Sequence, residues 1–207
     1  MPTTVKAAPG EPLPWTGYRA LIFDWDGTLV NSHGANYQAM AAALNAQGAR
    51  MEKVWFDART GLSTPEMASL ISGEQNIDLN LDQIVSARNS EYMQLLESVR
   101  EIVPVVNVLR EASAAGVLTA LATGGGKATV MPTVDELGLR DLFNVIVTRE
   151  DAERGKPAPD IFLTAAKRLE VSPADCLVFE DSEEGLAAAQ HAGMDSVDVR
   201  ALRGTVA

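Results

Sequence analysis

The chain has 207 residues, 46% of them hydrophobic, and its 17 basic against 28 acidic residues leave a formal charge of −11. That length buries one full core and leaves room for an inserted subdomain, while the acidic balance, without any basic run, argues against nucleic acid as a partner. The single cysteine, Cys176, excludes an intrachain disulfide, and no stretch approaches the ~20 apolar residues that span a bilayer, so the expectation is a cytoplasmic chain with no membrane partner, a monomer or weak dimer.

In chain order, residues 1–17 carry Pro2, Pro9, Pro12 and Pro14 and predict a flexible tail. The apolar run Leu21-Ile22-Phe23 then predicts a buried strand that ends in Asp24-Trp25-Asp26-Gly27-Thr28. Strand alternation puts Asp24 and Asp26 on one side, and Gly27 allows a tight turn beyond them. Two such carboxylates roughly 4 Å apart repel by about 4 kcal/mol at an effective dielectric near 20, so the pair calls for a cation, a shared proton or basic neighbours.

Residues 32–102 show little strand signal and predict a helical insertion. Ala39 to Leu44 form a helix-prone stretch, Ser63-Thr64-Pro65-Glu66 reads as a capping box, and apolar residues from Leu81 to Val99 recur at helical spacing over one long helix. From Val105 onward the pattern alternates: helix to Ala115, strand Val117–Ala122, helix Thr129–Leu137, strand Phe143–Val147, helix Asp160–Leu169, strand Cys176–Phe179, helix Glu184–Ala192 and strand Ser196–Val199. Repeated units of this kind predict an α/β core, a Rossmann-like parallel sheet flanked by helices, with ligands at the carboxyl ends of the strands. The expected organisation is a tail (1–17), a core from 18–31 and 103–207, and a small helical domain over 32–102.

Three further polar clusters fall at predicted strand ends. Thr123-Gly124-Gly125-Gly126-Lys127 precedes a helix, whose N-terminal amides and dipole suit a phosphate; a flexible turn is the competing reading. A P-loop does not fit, because Leu121 and Ala128 stand where that motif needs a glycine and a hydroxyl. Lys156, flanked by Pro157 and Pro159, is a candidate to neutralise the carboxylates and bind a phosphoryl oxygen, against the commoner fate of a solvated lysine. Glu180 and Asp181 end a second apolar strand and could complete an oxygen-ligand set for Mg²⁺, although Asp181 or Ser182 could equally cap the next helix.

The order of these motifs, with Gly155-Lys156-Pro157-Ala158-Pro159-Asp160 and Phe179-Glu180-Asp181-Ser182, resembles the haloacid dehalogenase-like hydrolase superfamily in its branch of sugar-phosphate phosphatases and β-phosphoglucomutases. The resemblance implies a Mg²⁺-dependent phosphatase of small phosphorylated metabolites acting through an aspartyl phosphate. In it Asp24 is the nucleophile, Asp26 the acid and base, and Thr123 and Lys156 stabilise the transferring group. Asp24, the carbonyl of Asp26, and Asp181 would hold the metal, with Glu180 at or just behind it. The insertion would be a cap, and Gly61, Leu62, Gly124, Gly125 and Lys127 would meet the substrate. The stretch 99–202 is similar to bacterial fructose-1-phosphate and 6-phosphogluconate phosphatases. β-Phosphoglucomutases carry an arginine and a histidine where this chain has Thr64 and Asn36, which weakens the mutase alternative, although Lys127 could serve a distal phosphate. A catalytically idle binding module is the third reading.

Overall fold

The computed structural model describes residues 1–59 and 62–206. In chain order its elements are β1 (Thr4–Lys6), β2 (Ala20–Phe23), β3 (Val30–Asn31), α1 (His33–Asn45), α2 (Lys53–Asp57), α3 (Thr64–Gln75), α4 (Leu81–Gln94), β4 (Arg100–Glu101), α5 (Val103–Ala114), β5 (Leu118–Ala122), α6 (Lys127–Glu136), β6 (Val145–Val147), α7 (Asp160–Leu169), β7 (Cys176–Glu180), α8 (Glu183–His191) and β8 (Asp195–Asp198). The chain divides into two compact units, Met1–Asn31 with Arg100–Ala207, and Ser32–Val99.

The first unit is an α/β layer built on a six-stranded sheet of order β1-β8-β7-β2-β5-β6, every pairing parallel. Strands β2 and β7 are buried along their whole length, which is why both read as unbroken apolar runs rather than alternating ones. From β2 the chain builds outward on one side through β5 and β6, then returns to build β7 and β8 on the other. The order therefore reverses at β2, and the crevice at its carboxyl end is the place where such sheets bind ligands. Helix α7 covers β5, β6 and β2 with Ile161, Phe162, Ala165, Ala166 and Leu169, a single apolar stripe at helical spacing. Phe23 and Phe179, paired across β2 and β7, stack at 4.8 Å with an interplanar angle of 13°.

The first residues depart from the predicted flexible tail. Thr4–Lys6 adds an edge strand parallel to β8, tied by Thr3 N to Asp195 Oδ1 at 2.6 Å and by the Thr4 and Ser196 hydroxyls at 2.9 Å. A three-residue strand among prolines is too short to show a period. The boundary of the insertion also moves, because β3 and β4 pair antiparallel, Asn31 opposite Arg100, and so Arg100–Ile102 belongs with the first unit.

The second unit is helical, with α1 and α3 both packed on α4 around Met40, Leu44, Phe56, Met67, Ile71 and Ile84. The capping box at Ser63 forms as predicted: Glu66 Oε2 accepts from Ser63 N at 2.8 Å and from its hydroxyl at 2.6 Å. Helix α4 stops at Gln94, short of the predicted Val99. The chain there turns into a 3-10 segment, Leu96–Ser98, with the Ser98 hydroxyl donating to Leu95 O at 2.6 Å.

Phe162 is fully buried between α7 and the sheet. Phe162→Ala is expected to lower unfolding stability by about 3–5 kcal/mol in urea titrations, against a change within about 0.5 kcal/mol for Val54→Ala on an exposed face.

Candidate active site

Beyond β2 the backbone stays in register for one more residue, Asp24 N donating to Phe179 O at 3.0 Å. It then coils around one carbonyl: Trp25 O accepts from Thr28, Leu29 and Val30 N at 3.2, 3.0 and 3.1 Å. This coil needs Gly27. Its φ is +85°, and a Cβ there would lie 2.1 Å from Asp181 Oδ2, so the absent side chain is what lets the β2 and β7 ends come together.

That approach gathers Asp24, Glu180 and Asp181, all buried, with one carboxylate oxygen from each lying within 4.8 Å of the others. The sequence predicts Asp24 and Asp26 as the mutually repelling pair. In the structure the carboxylates that press on Asp24 are Glu180 and Asp181, and burial together with these two neighbours holds its pKa well above the usual carboxylate range, partly offset by Lys156. Asp26 is less buried and faces the loop after β5, where a Cβ on Gly125 would stand 3.4 Å from its Oδ2.

Lys156 supplies the relief. Its Nζ donates to Asp24 Oδ1 at 2.5 Å and to Glu180 Oε2 at 2.6 Å, above the Phe162 ring at 5.1 Å from the centroid. Burial works against its charge, but the two carboxylates outweigh it and keep the ammonium pKa above its ordinary value. Lys156 stands at the head of the cis Lys156–Pro157 peptide, four residues before the start of α7. The other Glu180 oxygen, Oε1, accepts from Asp181 N and Ser182 N at 3.0 Å each and from Ser182 Oγ at 2.9 Å. Ser182 in turn caps α8 through Gly185 N at 3.0 Å, and a Cβ on Gly185 would collide with the Glu180 carboxyl at 2.0 Å. The capping reading thus belongs to Ser182, and Asp181 turns into the cluster instead.

Asp181 accepts from Thr28 Oγ1 at 3.1 Å through Oδ1 and from Arg203 Nε at 2.7 Å through Oδ2. Burial and Glu180 push its pKa up to about 6, with Arg203 and Thr28 pulling the other way. The all-oxygen, anionic, buried donor set of Asp24, Glu180 and Asp181 fits a hard divalent cation such as Mg²⁺. Asp26 adds no carboxylate to this set.

On the neighbouring strand end, buried Thr123 accepts from Gly125 N at 2.9 Å through its Oγ1, which leaves its own proton to donate. Gly124 is exposed. The predicted anion seat at the start of α6 is partly filled from within: Lys127 N donates to Glu150 Oε2 at 3.0 Å and Oε1 at 3.2 Å, and the Lys127 side chain is exposed. Leu62 packs against the apolar core of the second unit, and Gly61 lies outside the described residues. Glu150 and Arg203 are the partners that sequence reasoning missed. Each meets its acceptor or donor more than 20 residues away, with no local motif to mark it.

Gly27→Ala is expected to cost about 1–3 kcal/mol of stability by urea unfolding, whereas Gly124→Ala, with open space around it, changes stability by less than about 0.5 kcal/mol. A second expectation concerns pH. Because Asp181 rises from its ordinary 3.8 to about 6 on folding, the folded state binds more protons than the unfolded state between those values. Stability in EDTA therefore falls as pH rises through this window, by up to about 3 kcal/mol from this group. The wild type should lose stability relative to Asp181→Asn between about pH 4 and 6.5, and a constant gap would contradict the assignment.

The chain is 33% identical over 185 residues to fructose-1-phosphate phosphatase YqaB of Escherichia coli, covering 89% of this chain and 98% of that protein. It is 29% identical over 189 residues to β-phosphoglucomutase of Bacillus subtilis, covering 87% and 83%. The crystal structure of CbbY from Rhodobacter sphaeroides in complex with phosphate superimposes with a TM-score of 0.81 at 26% identity, over 88% of this chain and 86% of that one. The sequence profile of haloacid dehalogenase-like hydrolases matches residues 21–199, and the chain belongs to that family.

Proposed function

We propose that this protein is a Mg²⁺-dependent phosphatase of small phosphorylated metabolites, with sugar phosphates such as fructose 1-phosphate or 6-phosphogluconate as the first substrates to test. The observation that carries the reading is the buried Asp24/Glu180/Asp181 group with Lys156 bridging Asp24 and Glu180 at 2.5 and 2.6 Å. Bound Mg²⁺ would be held by Asp24 and Asp181, with the Asp26 carbonyl and Glu180 in support, and would supply positive charge against the phosphoryl oxygens.

The chain's own groups divide the remaining work. Lys156 holds Asp24 by Oδ1, orienting the carboxylate for in-line attack, so that an Asp24 oxygen–phosphorus bond forms as the bond from phosphorus to the alcohol oxygen breaks. Asp26, the less buried of the two aspartates, gives its proton to the departing alcohol. It then takes a proton from the water that attacks phosphorus, which frees Asp24 and releases inorganic phosphate. The Thr123 hydroxyl, its oxygen already fixed by Gly125 N, donates to a phosphoryl oxygen as charge builds there. Gly61, Leu62, Gly124, Gly125 and Lys127 are proposed to contact the substrate, and the helical unit is proposed to act as a cap that selects the alcohol.

A sugar-phosphate mutase is the second reading, favoured by the similarity to β-phosphoglucomutase. The Glu150 carboxylate on Lys127 N speaks for hydrolysis, because it places an anion beside the residue that would grip a second phosphate.

Phosphate release from a panel of sugar phosphates, with Mg²⁺ and with EDTA, tests the proposal. EDTA should abolish turnover and Asp24→Asn should lower it by roughly 10³-fold or more. Turnover that survives both treatments rejects the mechanism, and formation of a sugar bisphosphate in place of free phosphate would favour the mutase.

A further inference from the structure

Arg203 has an uneven distribution of contacts for a surface residue. Its side chain is 52% exposed, yet its guanidinium is committed to one neighbour. Nε donates to Asp181 Oδ2 at 2.7 Å, Nη2 donates to the same oxygen, and Nη2 also reaches the Asp181 main-chain O at 2.6 Å. The backbone that carries Arg203 is anchored on both sides. Before it, the turn Arg200–Leu202 is seated by buried Leu202; after it, Thr205 O accepts from Val103 N at 3.1 Å and Val206 bridges Ile102.

A carboxylate oxygen has two in-plane lone pairs. Two N–H groups of Arg203 converge on Oδ2 from one side, and the Gly27 backbone closes on the same oxygen, whose distance to a Cβ there would be only 2.1 Å. The Thr28 hydroxyl takes one lone pair of Oδ1 at 3.1 Å. With Oδ2 held between Arg203 and Gly27, the open position on Asp181 is the other lone pair of Oδ1. A carboxylate in that state can give a cation a single oxygen and no more.

We propose that Arg203 is a positioning residue that confines Asp181 to one-oxygen ligation and so selects Mg²⁺ over Ca²⁺ at the Asp24/Glu180/Asp181 site. Mg²⁺ takes a compact octahedron of single oxygens, whereas the larger Ca²⁺ accepts two-oxygen carboxylates and higher coordination. The inference rests on the metal reading given under Proposed function.

The test is calorimetric titration of the full-length protein with MgCl₂ and with CaCl₂, for wild type, Arg203→Lys and Arg203→Gln, alongside thermal unfolding in EDTA. The ratio of the two dissociation constants is the informative quantity. The charge lost in Arg203→Gln acts on both divalent ions alike and cancels, and Arg203→Lys keeps the charge while removing the planar fork. Both variants should shift the ratio toward Ca²⁺ by about 10-fold, the scale on which groups behind a metal ligand act. A purely structural role would lower the melting temperature in EDTA and leave the ratio at its wild-type value, which would overturn the inference. Wild-type protein that binds neither ion would overturn the metal reading itself, and this inference with it.

Discussion

The structure depends on keeping three carboxylates and their counter-cations together at one buried point. Lys156 stands between Asp24 and Glu180, and Arg203 stands behind Asp181, so the cluster carries two positive groups against three negative ones. Burying an unpaired carboxylate costs several kcal/mol, and pairing makes the cost bearable without cancelling it. The residual negative charge is compatible with a divalent cation at this point. Burial first, and then the neighbouring carboxylates, raise the pKa values of Asp24 and Asp181 against the pull of Lys156 and Arg203.

The fold serves that point from several directions. β2 and β7 are adjacent, parallel and in register, so their ends release Asp24 and Glu180-Asp181 side by side. The sheet reverses its order at β2, which opens the crevice there, and β5 brings Thr123 and Gly125 to the neighbouring rim. Two glycines set the spacing. Gly27 lets the loop after β2 touch Asp181, and Gly185 lets the first turn of α8 touch Glu180. With a side chain at either place the acids would have to move apart.

Much of this was legible in the sequence, for identifiable reasons. Buried parallel strands are continuous apolar runs, and a polar residue that ends such a run belongs to the rim, which is how Asp24, Thr123, Glu180 and Asp181 stood out. The two-residue strands β3 and β4 and the three-residue β1 were hidden because they are shorter than any period. Side-chain partnerships were hidden for a different reason. Alternation pointed to Asp26 as the carboxylate pressing on Asp24, whereas the carboxylates that raise its pKa, Glu180 and Asp181, arrive at the end of β7. Glu150 on Lys127 N and Arg203 on Asp181 are products of tertiary placement alone, and no residue type or spacing announces them.

In the proposed mechanism Asp24, held by Lys156 within this cluster, accepts the phosphoryl group. The direct measurement is rapid acid quenching of the enzyme during turnover of a sugar phosphate with Mg²⁺, followed by proteolysis and mass spectrometry of the peptide containing Asp24. One phosphoryl group is expected on Asp24, absent when EDTA replaces Mg²⁺ and absent in Asp24→Asn. A phosphoryl group on another residue, or full turnover with an Asp24 peptide that never carries one, would contradict it.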